Sequence, residues 1–526
     1  MTTTPILDVL VVGAGPVGAA LAIDLTRRGL TVRIIDKADH AFDGSRAKGI
    51  QPRTLEVLED LGALEEILAG GSTYPLMGIH LGPFTVPWRM MRSRKGGDDV
   101  PFPDTWLIPQ FRTDGALHNR LRELGVAVEF HCEIAELTQT PEAVATSVTT
   151  RDGVETITAR YVVGADGGGS SVRKQADIGF IGSTDEADRV LIVDAVVDGG
   201  LSRDRWHVWP GLRGRFVGAC PLPHSDQFQW MIRLAPDESP PIDETQITEV
   251  IRARTGNKRL AVHDIAWKSV FRPNIRLAES YRRGRVFIAG DAAHVHPPAG
   301  AQGLNTGIQD AYNLGWKLAQ VLAGAAAELL ETYETERQPI AAGVLGLSTK
   351  KYSGLGKMDP SSIRRGEDEQ QLSLNYRGGP LSAVSDEHTA TLHVGDRAPD
   401  ALLRDTGGKP VRLFDVYRGP HFTALAYGEQ AARDLGLLPW PTSGASLRRV
   451  TIGTDTALTE KLLRDPAATF KKIYGLDAEA LLLIRPDGYI ASIATRDMLT
   501  RTSSAISRLA PPVRIDATPT PEESQP

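Results

Sequence analysis

The stretch that decides the fold is Ile6-Leu7-Asp8-Val9-Leu10-Val11-Val12-Gly13-Ala14-Gly15-Pro16-Val17-Gly18. The apolar, β-branched run from Ile6 to Val12 predicts a strand. The glycines turn the chain, and Val17 to Arg28 predicts a helix. A second apolar run, Thr31 to Ile35, ends at Asp36, so a β-α-β unit closes within about 30 residues. The glycines fall in the pattern G-x-G-x-x-G. The first permits a tight turn, the second lets backbone approach a pyrophosphate, and the third lets helix and strand pack closely. The helix N-terminus adds N–H groups and partial positive charge for phosphates. Asp36 lies 23 residues after Gly13, and its carboxylate can accept from both hydroxyls of an adenosine ribose. Gly13, Gly15, Pro16, Gly18, Asp36 and Lys37 form the expected binding set. The acid argues against a 2′-phosphate, so this site suits FAD or NAD better than NADP.

A second glycine site lies far along the chain. Arg285 to Ala289 reads as a buried strand running into Gly290-Asp291. The loop that follows, Pro297-Pro298-Ala299-Gly300-Ala301-Gln302-Gly303-Leu304-Asn305, opens a helix expected from about Thr306 to Leu322. An acid at a strand end can hold ribityl or phosphate-linked hydroxyls. A glycine loop opening a helix offers N–H groups to an anion. Between the two sites, Asp166-Gly167-Gly168-Gly169-Ser170-Ser171-Val172-Arg173 forms a third glycine-rich turn.

Together these motifs resemble the FAD-dependent aromatic hydroxylases, the single-component group A flavoprotein monooxygenases. Ser45-Arg46-Ala47 and Tyr333-Glu334-Thr335-Glu336-Arg337-Gln338-Pro339 also resemble that family's segments. The match runs from about residue 5 to 345 in family order, with Ala301 standing where the family usually has glycine. The resemblance implies FAD, NADPH or NADH as reductant, and O2. It implies oxygen transfer from a flavin C4a-hydroperoxide to an aromatic carbon, on a phenolic or polycyclic polyketide-type substrate. Gly13, Gly15 and Gly18 would cradle the pyrophosphate and Asp36 the ribose. Arg46 would sit near the pyrophosphate or the nicotinamide route. Gln110 and Asp291, with Gly290, would flank the ribityl chain. Pro298, Gly303, Leu304 and Asn305 would line the ring, and Asp166 would serve both FAD and the nicotinamide. Arg173 would anchor its own loop. No general base is assigned, because the cofactor carries the chemistry.

The implied fold class is α/β. A Rossmann-like FAD-binding domain spans 1–75, 105–185 and 280–350, with an inserted, mostly β substrate domain over 76–104 and 186–279. Residues 351–391 read as a helical end and linker. Residues 392–515 resemble the thioredoxin-like domain appended to many of these hydroxylases. They contain no cysteine, so dithiol exchange is excluded. A tail over 516–526, mostly Thr, Pro, Glu and Ser, is expected to be disordered.

Composition narrows the alternatives. At about 150 residues per domain, 526 residues give three to four domains as a soft prior. Lys plus Arg is 59 and Asp plus Glu is 65, a net charge of −6, against a general nucleic-acid binder or a polybasic membrane protein. Two cysteines, Cys132 and Cys220, cannot build a disulfide framework and fit a reducing cytoplasm. No signal peptide and no membrane span are expected. The expected partner is a small aromatic molecule, and a homodimer stays open.

Weaker signals have plainer readings. His294-x-His296 lacks a third metal ligand nearby. Arg89, Arg92, Arg94 and Lys95 read as a solvated loop more than a steering patch. Trp206 and Trp209 could line an aromatic pocket, although sheet core is the more ordinary place for them. A Baeyer–Villiger or epoxidising monooxygenase on the same scaffold and a non-catalytic flavin-binding regulator are the rival functions. A pure nicotinamide dehydrogenase would not need the second and third glycine sites.

Overall fold

A computed structural model describes residues 6–90, 96–297, 301–356, 366–382, 388–453 and 461–512. Pro298, Arg92, Arg94, Lys95 and the 516–526 tail therefore lie outside the described residues. The chain forms two compact units. The first holds Met1–Trp316 and Tyr333–Asn375, the second Lys317–Thr332 and Tyr376–Pro526.

In the first unit the glycine-rich turn sits at the centre of an eight-stranded sheet. Leu7–Val12 pairs in parallel with Val32–Ile35 on one side and with Gly153–Gly164 on the other. Val286–Ile288 extends the sheet in parallel beyond Gly153–Gly164, and Val128–Glu129 extends it beyond Val32–Ile35. The strand ends at Val12, Ile35, Gly164 and Ile288 therefore share one edge. Gly13, Asp36, Asp166 and Gly290 follow those ends directly, so parallel pairing gathers three motifs that are far apart in sequence. Helix Pro16–Thr26 is buried over most of its length because it packs under this sheet.

A seven-stranded sheet of the same unit has the order Ala261–Phe271, Arg189–Asp198, Gln227–Leu234, Val217–Pro221, Arg205–Trp209, Leu76–Leu81 and Phe84–Trp88. Side chains alternate across it. Leu191, Val193, Ala195, Val217, Ala219, Phe228, Trp230 and Trp209 form one apolar face, closed by Ile247 and Ile251. Asp194, Trp206, Gly218, Cys220 and Gln229 occupy the intervening positions and so belong to the opposite face. Ile247 and Ile251 come from helix Glu244–Thr255, inside a region read from sequence as mostly strand. Its signals were present: Asp243 caps the first turn by accepting from Gln246 N at 2.8 Å, and Gly256 ends it at φ +72°. The chain before the first strand of that sheet forms two short helices, Pro52–Leu61 and Leu64–Ala69. Gly62, at φ +80°, adopts the left-handed conformation that ends a helix.

The second unit carries a five-stranded sheet ordered Lys461–Leu463, Leu447–Ile452, Phe422–Tyr427, Ala480–Ile484, Ile490–Ala494. The first three strands are mutually parallel, and the last two run antiparallel. A hairpin turn at Arg485-Pro486-Asp487-Gly488 joins those last two. This unit begins at Tyr376, upstream of the Leu392 start expected from sequence. Tyr376 N donates to Gly395 O at 2.8 Å, and its ring lies 4.3 Å from that of Tyr489.

Candidate active site

The first glycine turn is shaped by contact. Gly13 has φ +101°, and a Cβ there would lie 2.4 Å from Ala165 O. A Cβ on Gly18 would lie 1.8 Å from Gly13 O. At Gly15 a Cβ would meet nothing within 4 Å, so that glycine keeps open space rather than tight packing. Gly15 is also the N-cap of helix Pro16–Thr26 and supplies no side-chain cap, which leaves first-turn N–H groups for an anion. Asp36 accepts from Ala14 N at 2.7 Å through Oδ2 and from Ala38 N at 2.9 Å through Oδ1. Each oxygen retains acceptor capacity for a ribose hydroxyl. Lys37 points elsewhere: its side chain is 67% exposed, 3.9 Å from Glu133.

Asp166 holds its own turn together. It accepts from Ser170 Oγ at 2.5 Å, Ser171 N at 2.7 Å and Val172 N at 3.2 Å. Buried Arg173 donates to Gly168 O and Ala292 O, both at 3.0 Å, and so ties this turn to the Gly290-Asp291 turn. Gly290 has φ +60°, and a Cβ there would lie 2.8 Å from Val17 Cγ2. Half-buried Asp291 and exposed Arg46 make no hydrogen bond or ion pair among the described residues. Gln110, half-buried, receives Ala47 N at 3.3 Å and donates to Asp114 at 3.5 Å. Burial, with the Asp36 charge adding, pushes the Asp114 carboxyl up to about 8.

Helix Gly303–Leu322 starts with Gly303 and Leu304 half-buried. Asn305 is fully buried and spends its side chain on backbone. Its Nδ2 donates to Gly49 O at 2.8 Å and Ala301 O at 2.7 Å, and its Oδ1 accepts from Gln51 N at 2.8 Å. The side chain therefore fixes the loop rather than lining a ring. Ala301 adopts φ +53°. A Cβ on Gly49 would lie 2.8 Å from the Ala301 methyl and 2.7 Å from the Tyr74 hydroxyl.

Two buried networks lie beside these turns. In the first, Arg337 Nε donates to Asp310 Oδ1 at 2.7 Å, and Asp310 Oδ2 pairs with His294 Nε2 at 2.6 Å. His294 Nδ1 lies 2.9 Å from His296 Nε2, and His296 Nδ1 has no partner. Asp310 also accepts from Gly290 N at 3.2 Å. Burial works against the Asp310 charge, but Arg337 and His294 outweigh it and hold the carboxyl below its usual range. Burial pushes His296 well down, so it is neutral. The two histidines thus belong to a hydrogen-bonded chain, and no metal cluster exists among the described residues.

In the second network the Ser45 segment meets the polar face of the seven-stranded sheet. Ser45 N and Oγ both donate to buried Asp194, at 2.7 and 2.5 Å. Gln229 Nε2 donates to Ser45 O at 3.0 Å, and Lys48 Nζ donates to Gln229 Oε1. Lys48 Nζ lies 4.5 Å over the Trp206 ring. Trp206 and Tyr74 rings are 6.4 Å apart, and Trp206 Nε1 has no partner. Trp209 faces the other way, into the apolar core, 4.5 Å from the His80 ring and 6.3 Å from that of Trp230. Residues three apart on a strand point to opposite faces, which separates the two tryptophans. Sequence reasoning missed Lys48, Asp194, Gln229 and Asp310. Only Lys48 carried a local signal, directly after Ser45-Arg46-Ala47.

Cys220 is fully buried beside Lys48, and Cys132 is 6% exposed. Burial pushes both thiols up. Neither should react with a chromogenic disulfide reagent in the native protein, and both should react in denaturant. Native labelling of Cys220 would mean that this sheet face opens to solvent.

The uncapped helix start, the open space at Gly15 and the unpaired Asp291 and Arg46 form a donor and acceptor set that fits FAD. Residues 6–348 match the model of a family described as "FAD binding domain". A "Flavin-dependent monooxygenase" from Mycobacteroides abscessus is 41% identical over 493 residues, covering 92% of this chain and 96% of that protein. A "6-methylpretetramide 4-monooxygenase" from Streptomyces rimosus is 32% identical over 541 residues, covering 95% of this chain and 93% of that protein. The solved flavin-dependent monooxygenase PieE, in complex with FAD and substrate, shares the fold. Its TM-score is 0.82 at 23% identity, covering 96% of this chain and 99% of that one. This chain belongs to the FAD binding domain family. It is an FAD-dependent aromatic monooxygenase with reduced nicotinamide and O2 as co-substrates. No helix among the described residues is long and apolar enough to cross a membrane.

Proposed function

We propose that the enzyme hydroxylates a phenolic or polycyclic polyketide-type substrate, held between the polar face of the seven-stranded sheet and the segment from Arg46 to Gly49. The observation that carries this reading is the wall made by Trp206, Tyr74 and Lys48. Flat side chains stack on a flat substrate. An unpartnered indole N–H and the Lys48 Nζ favour one that bears oxygen. The relative named for 6-methylpretetramide supports the polyketide branch.

Bound FAD supplies hydride acceptance and O2 activation. The chain's share is binding, orientation and exclusion of water. Gly13, Gly15, Pro16 and Gly18 hold the pyrophosphate, and Asp36 the ribose, with Lys37 at the outer edge. Arg46 guards the pyrophosphate or nicotinamide route. Gln110, Gly290 and Asp291 flank the ribityl chain, and Asp166 serves FAD and nicotinamide. Pro298, Gly303 and Leu304 line the ring, with Asn305 fixing them from behind. Residues 76–104 and 186–279 act as the substrate domain, inserted between the FAD-binding segments 1–75, 105–185 and 280–350. The 392–515 region is thioredoxin-like and structural, consistent with its lack of cysteine. Two buried, unpaired cysteines suit a cytoplasmic enzyme.

The test is oxidation of NADPH and NADH by the yellow enzyme, with a panel of phenols and polycyclic quinones and with hydrogen peroxide quantified. The expected result is a panel member that speeds oxidation, yields little peroxide and gains one oxygen. Oxidation fully matched by peroxide across every phenol and polycycle would overturn this substrate class.

A further inference from the structure

We propose that Lys48 is the substrate's phenolate anchor: its amine takes the phenolic proton and its ammonium then holds the ionised oxygen. This rests on the phenolic reading of the substrate above.

The geometry is unusual for a lysine. Lysine is almost never enclosed without a carboxylate partner. Lys48 has none at ion-pair distance among the described residues. The nearby acid, Asp194, gives both oxygens to Ser45. The Lys48 contacts are Gln229 Oε1, the Trp206 face and the Cys220 thiol. Lys48 is nonetheless half-buried as a residue and so is not sealed from an incoming ligand. The next residue, Gly49, is gripped by Asn305 Nδ2 at 2.8 Å. Lys48 is therefore fixed one residue from the loop that opens helix Gly303–Leu322, with Trp206 and Tyr74 around it.

Chemistry gives this placement a use. Burial lowers the Lys48 ammonium, offset in part by Cys220 and Asp194, and a buried lysine is a competent base. In the step proposed, the phenolic O–H bond breaks and its electron pair stays on oxygen. The proton moves to the Nζ lone pair. Neutral phenol and neutral amine become phenolate and ammonium, paired in a low-dielectric site. A phenolate ring is richer in electrons at its ortho and para carbons, which is where an electrophilic oxygen is accepted.

The test uses holoenzyme and 4-nitrophenol, whose ionised form absorbs visible light, at a pH where the free probe is mostly protonated. Wild type should bind it with the phenolate band and release no proton to a weakly buffered solution. Lys48→Met should lose the band or bind the probe about tenfold or more weakly, with its FAD spectrum retained. Lys48→Arg should keep the band but release a full proton per probe bound, because a guanidinium cannot accept one. This second variant tests the inference even where Lys48→Met fails to fold. The inference is overturned if wild type binds only neutral probe or none, if it releases a full proton, or if Lys48→Met binds unchanged. Phenolate capture at Lys48 without turnover of any phenol would instead sink the substrate reading and leave the anchor standing.

Discussion

Gly15→Ala should give a folded, colourless protein, whereas Gly18→Ala should give little folded protein at all. The two glycines sit three residues apart and do different work. At Gly18 the added methyl would lie 1.8 Å from Gly13 O. Backbone cannot swing away as a side chain can, so helix and strand must separate. That overpacking costs about 3 kcal/mol or more. At Gly15 the backbone is extended, φ −66° and ψ −179°, which alanine adopts freely, and the methyl would meet nothing within 4 Å. The apoprotein should lose less than about 1 kcal/mol. The methyl instead fills the approach to the uncapped helix start, and the pyrophosphate loses charge-assisted N–H contacts of about 1.5–3 kcal/mol each. FAD affinity should fall by about a hundredfold or more, read by fluorescence quenching on titration into apoprotein. Gly15→Ala enzyme that purifies yellow would refute the assignment of this turn to FAD.

Arg337→Met should be the most damaging single change outside the glycine turns. Arg337 and Asp310 are both fully buried, and the change takes away the carboxylate's guanidinium partner and leaves it His294 and Gly290 N, which costs about 3–5 kcal/mol. For a unit of this size that lowers Tm by roughly 4–7 °C. The loss should depend on pH. Asp310 is held below its usual carboxylate range when folded, so its stabilisation is present above the unfolded carboxylate value. It fades as pH falls through the depressed folded value. The gap between wild type and Arg337→Met should therefore be widest near neutrality and narrow in acid. A constant gap would mean that Arg337 acts through packing, not charge.

How much of this could be read from the chain follows the distance over which each feature is encoded. Gly13, Gly18 and Asp36 were legible because a turn, a close approach and a strand end are local demands on backbone. Gly290 and Asp166 were legible for the same reason. The Arg337 segment drew notice only by resemblance, because its partner Asp310 lies 27 residues away on another helix. The Lys48 cluster was invisible. Gln229 lies 181 residues from Lys48 and Asp194 lies 149 residues from Ser45. Only the pairing of sheet strands puts them on one face. Trp206 and Trp209 show the opposite case. Sheet core, the more ordinary reading, holds for Trp209, and the two-residue period of a strand, already present in the local sequence, separates it from Trp206.

The junction of Gly49 with Ala301 carries a consequence for anyone who would diversify this enzyme. The Tyr74 hydroxyl near Gly49 ends a long side chain and can turn aside. The Ala301 methyl, 2.8 Å from where a Gly49 Cβ would stand, cannot. With alanine at 301, a methyl group at 49 would require the backbone to shift, so a library that varies 49 alone will keep returning glycine. Freedom at 49 has to be opened from 301, where glycine also relieves a left-handed φ of +53°. The pair is a two-step lock, and the order of the steps is set by one carbon atom.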